Sequence, residues 1–181
     1  MTTRRDFLKT MTMASAGLAL GAGDILANPT FASQRKITDK VKIAYVGIGN
    51  RGEQIIGDFA RTGMVEVVAL CDVDMGAPHT QKVMNLYPKA KRFRDFRQMF
   101  DKAGNEFDAV AIATPDHSHF PISMLALASG KHVYVEKPLA RTFYEGELLM
   151  QAALKRPNLV TQVGNQGHSE ANYFQFKAWM D

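Results

Sequence analysis

A single cysteine among 181 residues excludes an intramolecular disulfide, and with it a two-thiol redox pair or a zinc ribbon. No apolar run offers the roughly 20 residues that a membrane-crossing helix needs. The weakly apolar stretch near the start, Met11 to Leu20, is built of Met, Thr, Ala, Ser, Gly and Leu and is too short. Excess charge is scarce as well: 22 Lys and Arg stand against 18 Asp and Glu, a formal +4. Residues 1–40 carry six of the basic side chains (Arg4, Arg5, Lys9, Arg35, Lys36, Lys40) and three of the acids (Asp6, Asp24, Asp39), so residues 41–181 hold only +1. That remainder shows no basic stripe interleaved with aromatics, which argues against a nucleic-acid module. What is present is 46% hydrophobic residues, a globular composition, in a length that suits one domain with a sizeable core.

The charge at the start has an order. A basic beginning, a short apolar stretch and then Gly21, Gly23 and other small residues form the three parts of an export signal. Thr3-Arg4-Arg5-Asp6-Phe7-Leu8-Lys9 resembles the twin-arginine signature S/T-R-R-x-F-L-K at every defined position. Cleavage is expected after Ala27 or Ala32. The expectation is a twin-arginine signal peptide over 1–32, a linker over 33–40, passage through the twin-arginine export machinery and a periplasmic or otherwise exported product. That route carries folded proteins, so a tightly held cofactor made in the cytosol is expected.

From Val41 the pattern changes to strand, tight turn, helix. Val41–Val46 is β-rich, Gly47-Ile48-Gly49-Asn50-Arg51-Gly52 is a G-x-G-x-x-G, and 50–62 reads as helix. A second strand, 65–70, ends in Cys71-Asp72, with Asp72 twenty positions beyond Gly52. A dinucleotide needs this spacing: the first glycine makes the turn, the second lets backbone N–H groups reach the pyrophosphate, and the third lets helix and strand pack closely. Asp72 can accept both adenosine ribose hydroxyls and would repel a 2′-phosphate, so NAD is expected over NADP. Arg51 stands near in sequence and could pair with a phosphate. Cys71 reads as a buried small side chain.

The alternation continues with helices at 77–86, 96–103, 118–128 and 142–155, and strands at 91–93, 107–113, 132–135 and 159–163. The fold class is therefore α/β, a doubly wound parallel sheet of the Rossmann dinucleotide-binding kind. Ligands of such sheets lie at the carboxyl ends of the strands. Three polar loops there, 114–119, 136–138 and 164–168, are expected to converge on one cleft. His117 and His119 alternate as metal ligands can, but no cysteine or carboxylate completes a set with His132 or His168, so no metal is expected.

Ala113-Thr114-Pro115-Asp116-His117-Ser118-His119, followed by Ser129-Gly130-Lys131-His132-Val133-Tyr134-Val135-Glu136-Lys137-Pro138, resembles the Gfo/Idh/MocA family of NAD(P)-dependent oxidoreductases. The resemblance covers about residues 41–168. The twin-arginine start and Val163-Gly164-Asn165-Gln166-Gly167-His168-Ser169 look like its exported branch, which includes NAD-dependent glycosidases. It implies a cofactor domain over 41–165 and then an α/β substrate domain, of which 166–181 would be only the start. By this resemblance Gly47, Ile48, Gly49, Asn50, Arg51 and Gly52 hold the pyrophosphate and Asp72 the adenosine ribose. Thr114, Pro115 and His119 line the path to the nicotinamide ribose, and Glu136 binds that ribose. Lys137 sits beside the reacting carbon as the catalytic residue, and Asn165, Gln166 and His168 meet the substrate. The expected reaction moves hydride between a tightly bound nicotinamide cofactor and a hydroxyl or carbonyl of a sugar or cyclitol. The alternative is glycoside hydrolysis through transient hydride removal at C3, elimination, water addition and hydride return. The chain stops in an amphipathic helix, 174–181, and is expected to be an N-terminal fragment that binds NAD without turnover. The whole protein is expected to be a homo-oligomer.

Overall fold

The computed structural model describes residues 40–169 and 171–180. The expected signal peptide, 1–32, and all but the last residue of the linker lie outside them. Six strands form one sheet: β1 Val41–Val46, β2 Val65–Cys71, β3 Lys91–Phe93, β4 Ala109–Ile112, β5 His132–Glu136 and β6 Thr161–Gly164. Its order is β3-β2-β1-β4-β5-β6, and every adjacent pair is parallel. The helices between them are α1 Arg51–Arg61, α2 Pro78–Leu86, α3 Phe96–Ala103, α4 His119–Ala128 and α5 Phe143–Leu154, and α6 Ala171–Met180 follows β6.

Alternation along the strands builds two cores, because successive side chains point to opposite faces. Ala44, Val46, Val110, Ile112, Val133 and Val135 face α3, α4 and α5, where Met99, Ile122, Leu127 and Leu149 pack on them. Ile43, Tyr45, Leu70 and Ala111 face the other way, against Ile55 and Ile56 of α1 and Val83 and Met84 of α2. A sheet with helices on both faces is doubly wound, as the sequence implies, and its direction of winding reverses between β1 and β4. On the α1 side, an apolar groove of about 650 Å³ runs past Ile43, Phe59, Ala111, Tyr134 and Val160.

Two strand starts and the character of the last helix differ from expectation. The strand expected from Phe107 begins at Ala109, after a 3₁₀ turn at Gly104–Glu106, and Phe107 packs its ring 5.4 Å from that of Phe100 instead of joining the ladder. The strand expected from Leu159 begins at Thr161, because Leu159 N–H closes a turn on the Arg156 carbonyl and Val160 N–H donates to His132 Nδ1. In α6 the apolar side chains do not form one face: Tyr173, Phe174, Phe176, Trp179 and Met180 are spread round the helix and all are exposed. The helix is therefore not amphipathic.

Phe107 is 2% exposed at the junction of α3 and the sheet. Phe107→Ala is expected to cost about 3–5 kcal/mol, read as a lower urea midpoint. A loss below about 1 kcal/mol would show that this corner of the core is not packed as described.

Candidate cofactor site

The glycine turn after β1 is fixed by close backbone approach. Gly47 adopts φ +79°, and a Cβ there would stand 2.5 Å from the Ala113 carbonyl oxygen at the end of β4. A Cβ on Gly52 would stand 1.9 Å from the Gly47 carbonyl oxygen, so only hydrogen fits between α1 and the turn. Asn50 takes the left-handed region at φ 46° and offers α1 no side-chain cap. The first N–H groups of α1 have no partner within the helix and carry its partial positive charge, the arrangement that suits a phosphate.

Asp72 stands just past β2. Its Oδ2 accepts from Ile48 N–H at 2.9 Å and its Oδ1 from Asp74 N–H at 3.0 Å, so both oxygens are held in one orientation beside the glycine turn. Each retains lone pairs for a ribose hydroxyl. Cys71 beside it is 2% exposed, and its thiol is pushed up to about 12, first by burial and then by the charges of Asp72 and Asp95. It is a packing residue. These groups line a cavity of about 600 Å³ together with Thr114, Pro115, His79 and Arg94. The Thr114 hydroxyl is buried and has no hydrogen-bond partner. A cavity with a glycine cradle, a fixed carboxylate and an orphaned hydroxyl fits the adenosine and pyrophosphate portion of a dinucleotide.

Not every expected residue faces that cavity. His119 is 1% exposed and both ring nitrogens meet backbone oxygens, Nδ1 at 2.6 Å from Pro138 and Nε2 at 2.8 Å from Thr114. It ties the β4 loop to the β5 loop, with both ring nitrogens engaged by backbone carbonyls. Arg51 also turns away. Its Nη2 donates to Glu136 Oε1 at 3.0 Å and its Nη1 to Gln54 at 3.0 Å, so it does not stand beside Asp72 where a 2′-phosphate would lie. Glu136 is 5% exposed and its Oε1 also accepts from the Tyr134 hydroxyl at 3.2 Å. The guanidinium is raised further by its hydrogen bond to Glu136, and the Tyr134 phenol is raised by burial and then by the Glu136 charge, so it remains a donor.

Lys137, Asn165 and Gln166 are exposed at the carboxyl ends of β5 and β6, next along the sheet edge. His168 lies on the 3₁₀ turn Gln166–Ser169, its side chain outside the described part. The three loops therefore follow one edge instead of closing on one cavity, and Arg51 spans from the glycine turn to the β5 loop. Among the described residues no cluster of His, Cys, Asp and Glu could hold a metal ion.

Sequence reasoning missed Tyr134, Gly164 and His79. Period-two alternation puts Tyr134 on the same strand face as Glu136, which is a usable signal. Gly164 is needed because a Cβ there would lie 2.5 Å from both Glu136 Oε1 and the Tyr134 hydroxyl. The His79 ring packs on Gly49, where a Cβ would stand 2.2 Å from its Cδ2, and nothing in the local sequence announces that contact.

Comparison with known proteins agrees with this geometry. Residues 41–164 match the profile of an oxidoreductase family with an NAD-binding Rossmann fold, GFO_IDH_MocA. The chain is 29% identical over 161 residues to an α-N-acetylgalactosaminidase of Shewanella oneidensis, covering 78% of this chain and 35% of that protein. It is 30% identical over 158 residues to a glycosyl hydrolase family 109 protein of Shewanella pealeana, with the same coverage of 78% and 35%. Its fold is similar to scyllo-inositol dehydrogenase of Lactobacillus casei with bound NAD(H) and scyllo-inositol, at TM-score 0.67 and 27% identity over 79% of this chain and 41% of that one. It is similar also to the WlbA dehydrogenase of Bordetella pertussis in complex with NADH and UDP-GlcNAcA, at TM-score 0.65 and 25% identity over 78% and 42%. The chain thus spans about a third of the length of the curated relatives it matches.

Gly52→Ala is expected to abolish NAD binding measured by calorimetry and to cost about 1–3 kcal/mol of stability through overpacking. Gly57→Ala on the same helix has nothing within 4 Å of its Cβ. It should bind normally and gain about 0.5–1 kcal/mol. Equal behaviour of the two variants would contradict the cradle.

Proposed function

Because the chain belongs to the Gfo/Idh/MocA oxidoreductase family, whose matching segment is an NAD-binding Rossmann fold, we propose that it is the cofactor-holding part of an exported enzyme acting on a sugar or cyclitol. The observation that carries this is the fixed Asp72 carboxylate beside the Gly47–Gly52 turn, with its cavity of about 600 Å³. Two similar solved structures contain scyllo-inositol together with NAD(H), and UDP-GlcNAcA together with NADH. The bound nicotinamide supplies a site that accepts or returns hydride. The protein does the rest. The turn and the α1 N-terminus hold the pyrophosphate, and Asp72 accepts the adenosine ribose hydroxyls and disfavours a 2′-phosphate. Glu136 accepts the second ribose. Lys137, exposed beyond β5, hydrogen-bonds the substrate oxygen: in reduction it stabilises the negative charge that forms there as hydride reaches the carbon and supplies the proton, and in oxidation it takes that proton as hydride leaves. Asn165, Gln166 and His168 orient the substrate from the β6 loop.

A second reading is favoured by the glycosidase relatives. In it the same residues act on a glycoside and the hydride returns in each cycle, so net hydrolysis consumes no NAD. Thr3–Lys9 supports export by the twin-arginine route, and export favours this reading, since free dinucleotide is scarce outside the cytoplasm.

One preparation separates these readings. The whole protein, with residues 1–40 in place, is expressed, recovered from the periplasm and analysed for bound dinucleotide. It is then assayed on a panel of nitrophenyl glycosides and on a panel of free sugars and cyclitols. Periplasmic protein carrying NAD is the expected result. Nitrophenol release without added cofactor selects hydrolysis, and NADH formation on a free sugar or cyclitol selects net oxidation. Absence of both reactions, with no dinucleotide bound, overturns the proposal.

A further inference from the structure

We infer that Arg51, the residue that opens α1, is a positioning residue for Glu136 and not a ligand of the cofactor phosphates. The inference rests on the dinucleotide reading above and goes beyond it. Arg51 and Glu136 lie 85 positions apart, yet the guanidinium spans the gap between the glycine turn and β5 to donate at 3.0 Å. The Glu136 side chain is 6% exposed and that of Arg51 33%, so the carboxylate is the buried partner and its charge would be costly without the guanidinium.

Only one carboxylate oxygen is consumed. Oε1 accepts from Arg51 Nη2 and from the Tyr134 hydroxyl, while Oε2 has no hydrogen-bond partner among the described residues. Two donors on one oxygen fix the plane of the carboxylate and present the other oxygen. Tyr134 is itself fixed, its ring edge-on to Phe59 of α1 at 5.4 Å. Gly164 closes the third side, since any Cβ there would displace both Oε1 and the phenol. Three elements, α1, β5 and the end of β6, therefore cooperate to aim one oxygen of Glu136. The group that fits is a vicinal diol, which donates to a carboxylate: the nicotinamide ribose.

Arg51 sits at the first position of the helix whose N-terminus receives the pyrophosphate. A phosphate ligand and a positioning residue are therefore distinguishable by what each nucleotide lacks. ADP contains the pyrophosphate and the adenosine ribose but no nicotinamide ribose, whereas NAD has all three.

The test is calorimetric titration of this chain and its Arg51→Met and Gly164→Ala variants with ADP and, separately, with NAD. In both variants NAD affinity is expected to fall about tenfold further than ADP affinity, the effect of losing a hydrogen bond to a charged group. ADP affinity in Arg51→Met should fall by no more than about fivefold, the share of one partly screened charge near a phosphate. Retained ADP binding in the same sample reports an intact glycine turn, so misfolding cannot imitate the result. Equal losses for ADP and NAD in Arg51→Met would make Arg51 a phosphate ligand and overturn the inference. Undiminished NAD binding in Gly164→Ala would also overturn it. If the unsubstituted chain binds neither nucleotide, the dinucleotide reading itself fails.

Discussion

Everything in the site depends on how closely three backbone segments approach one another at the end of β1. The Gly47 turn lies against Ala113 at the end of β4, and α1 lies against the turn through Gly52. Hydrogen is the only substituent that fits at either contact. This closeness puts the N-terminus of α1, with its partial positive charge, at the point where the sheet reverses its winding. It also brings Ile48 N–H within reach of Asp72, so the carboxylate proposed to accept the ribose is oriented by the same turn that is proposed to receive the phosphates. A single added methyl group would disturb the helix position, the turn and the carboxylate together.

A second linkage extends the site along the sheet edge. His119 bridges the carbonyls of Thr114 and Pro138, and Arg51 bridges the glycine turn and Glu136. Both side chains were natural candidates for direct contact with a cofactor, being polar residues in family motifs. The structure uses them as braces between loops. Lys137, at the β5 end, is exposed and makes no ion pair among the described residues.

Much of this was legible in the sequence because it is local. The six strands, the helices between them and the Gly47–Asp72 unit are each announced by a period, a turn residue or a fixed spacing over fewer than thirty positions. The misplacements arise where a side chain replaces a ladder bond, as His132 Nδ1 does for Val160 N–H, or where an aromatic leaves the sheet to pack, as Phe107 does. The Arg51 to Glu136 bridge was not legible, because the two residues are 85 positions apart and meet only through the sheet order. His79 against Gly49 is illegible for the same reason: tertiary approach, not sequence pattern, brings an exposed histidine onto a glycine.

The central claim is that residues 40–180 hold NAD through the glycine turn and Asp72. Its most direct test is isothermal titration of the chain with NAD and with NADP at moderate ionic strength. One NAD per chain, with NADP at least about tenfold weaker because Asp72 repels the 2′-phosphate, is the predicted result. Failure to bind either dinucleotide, or preference for NADP, would contradict it.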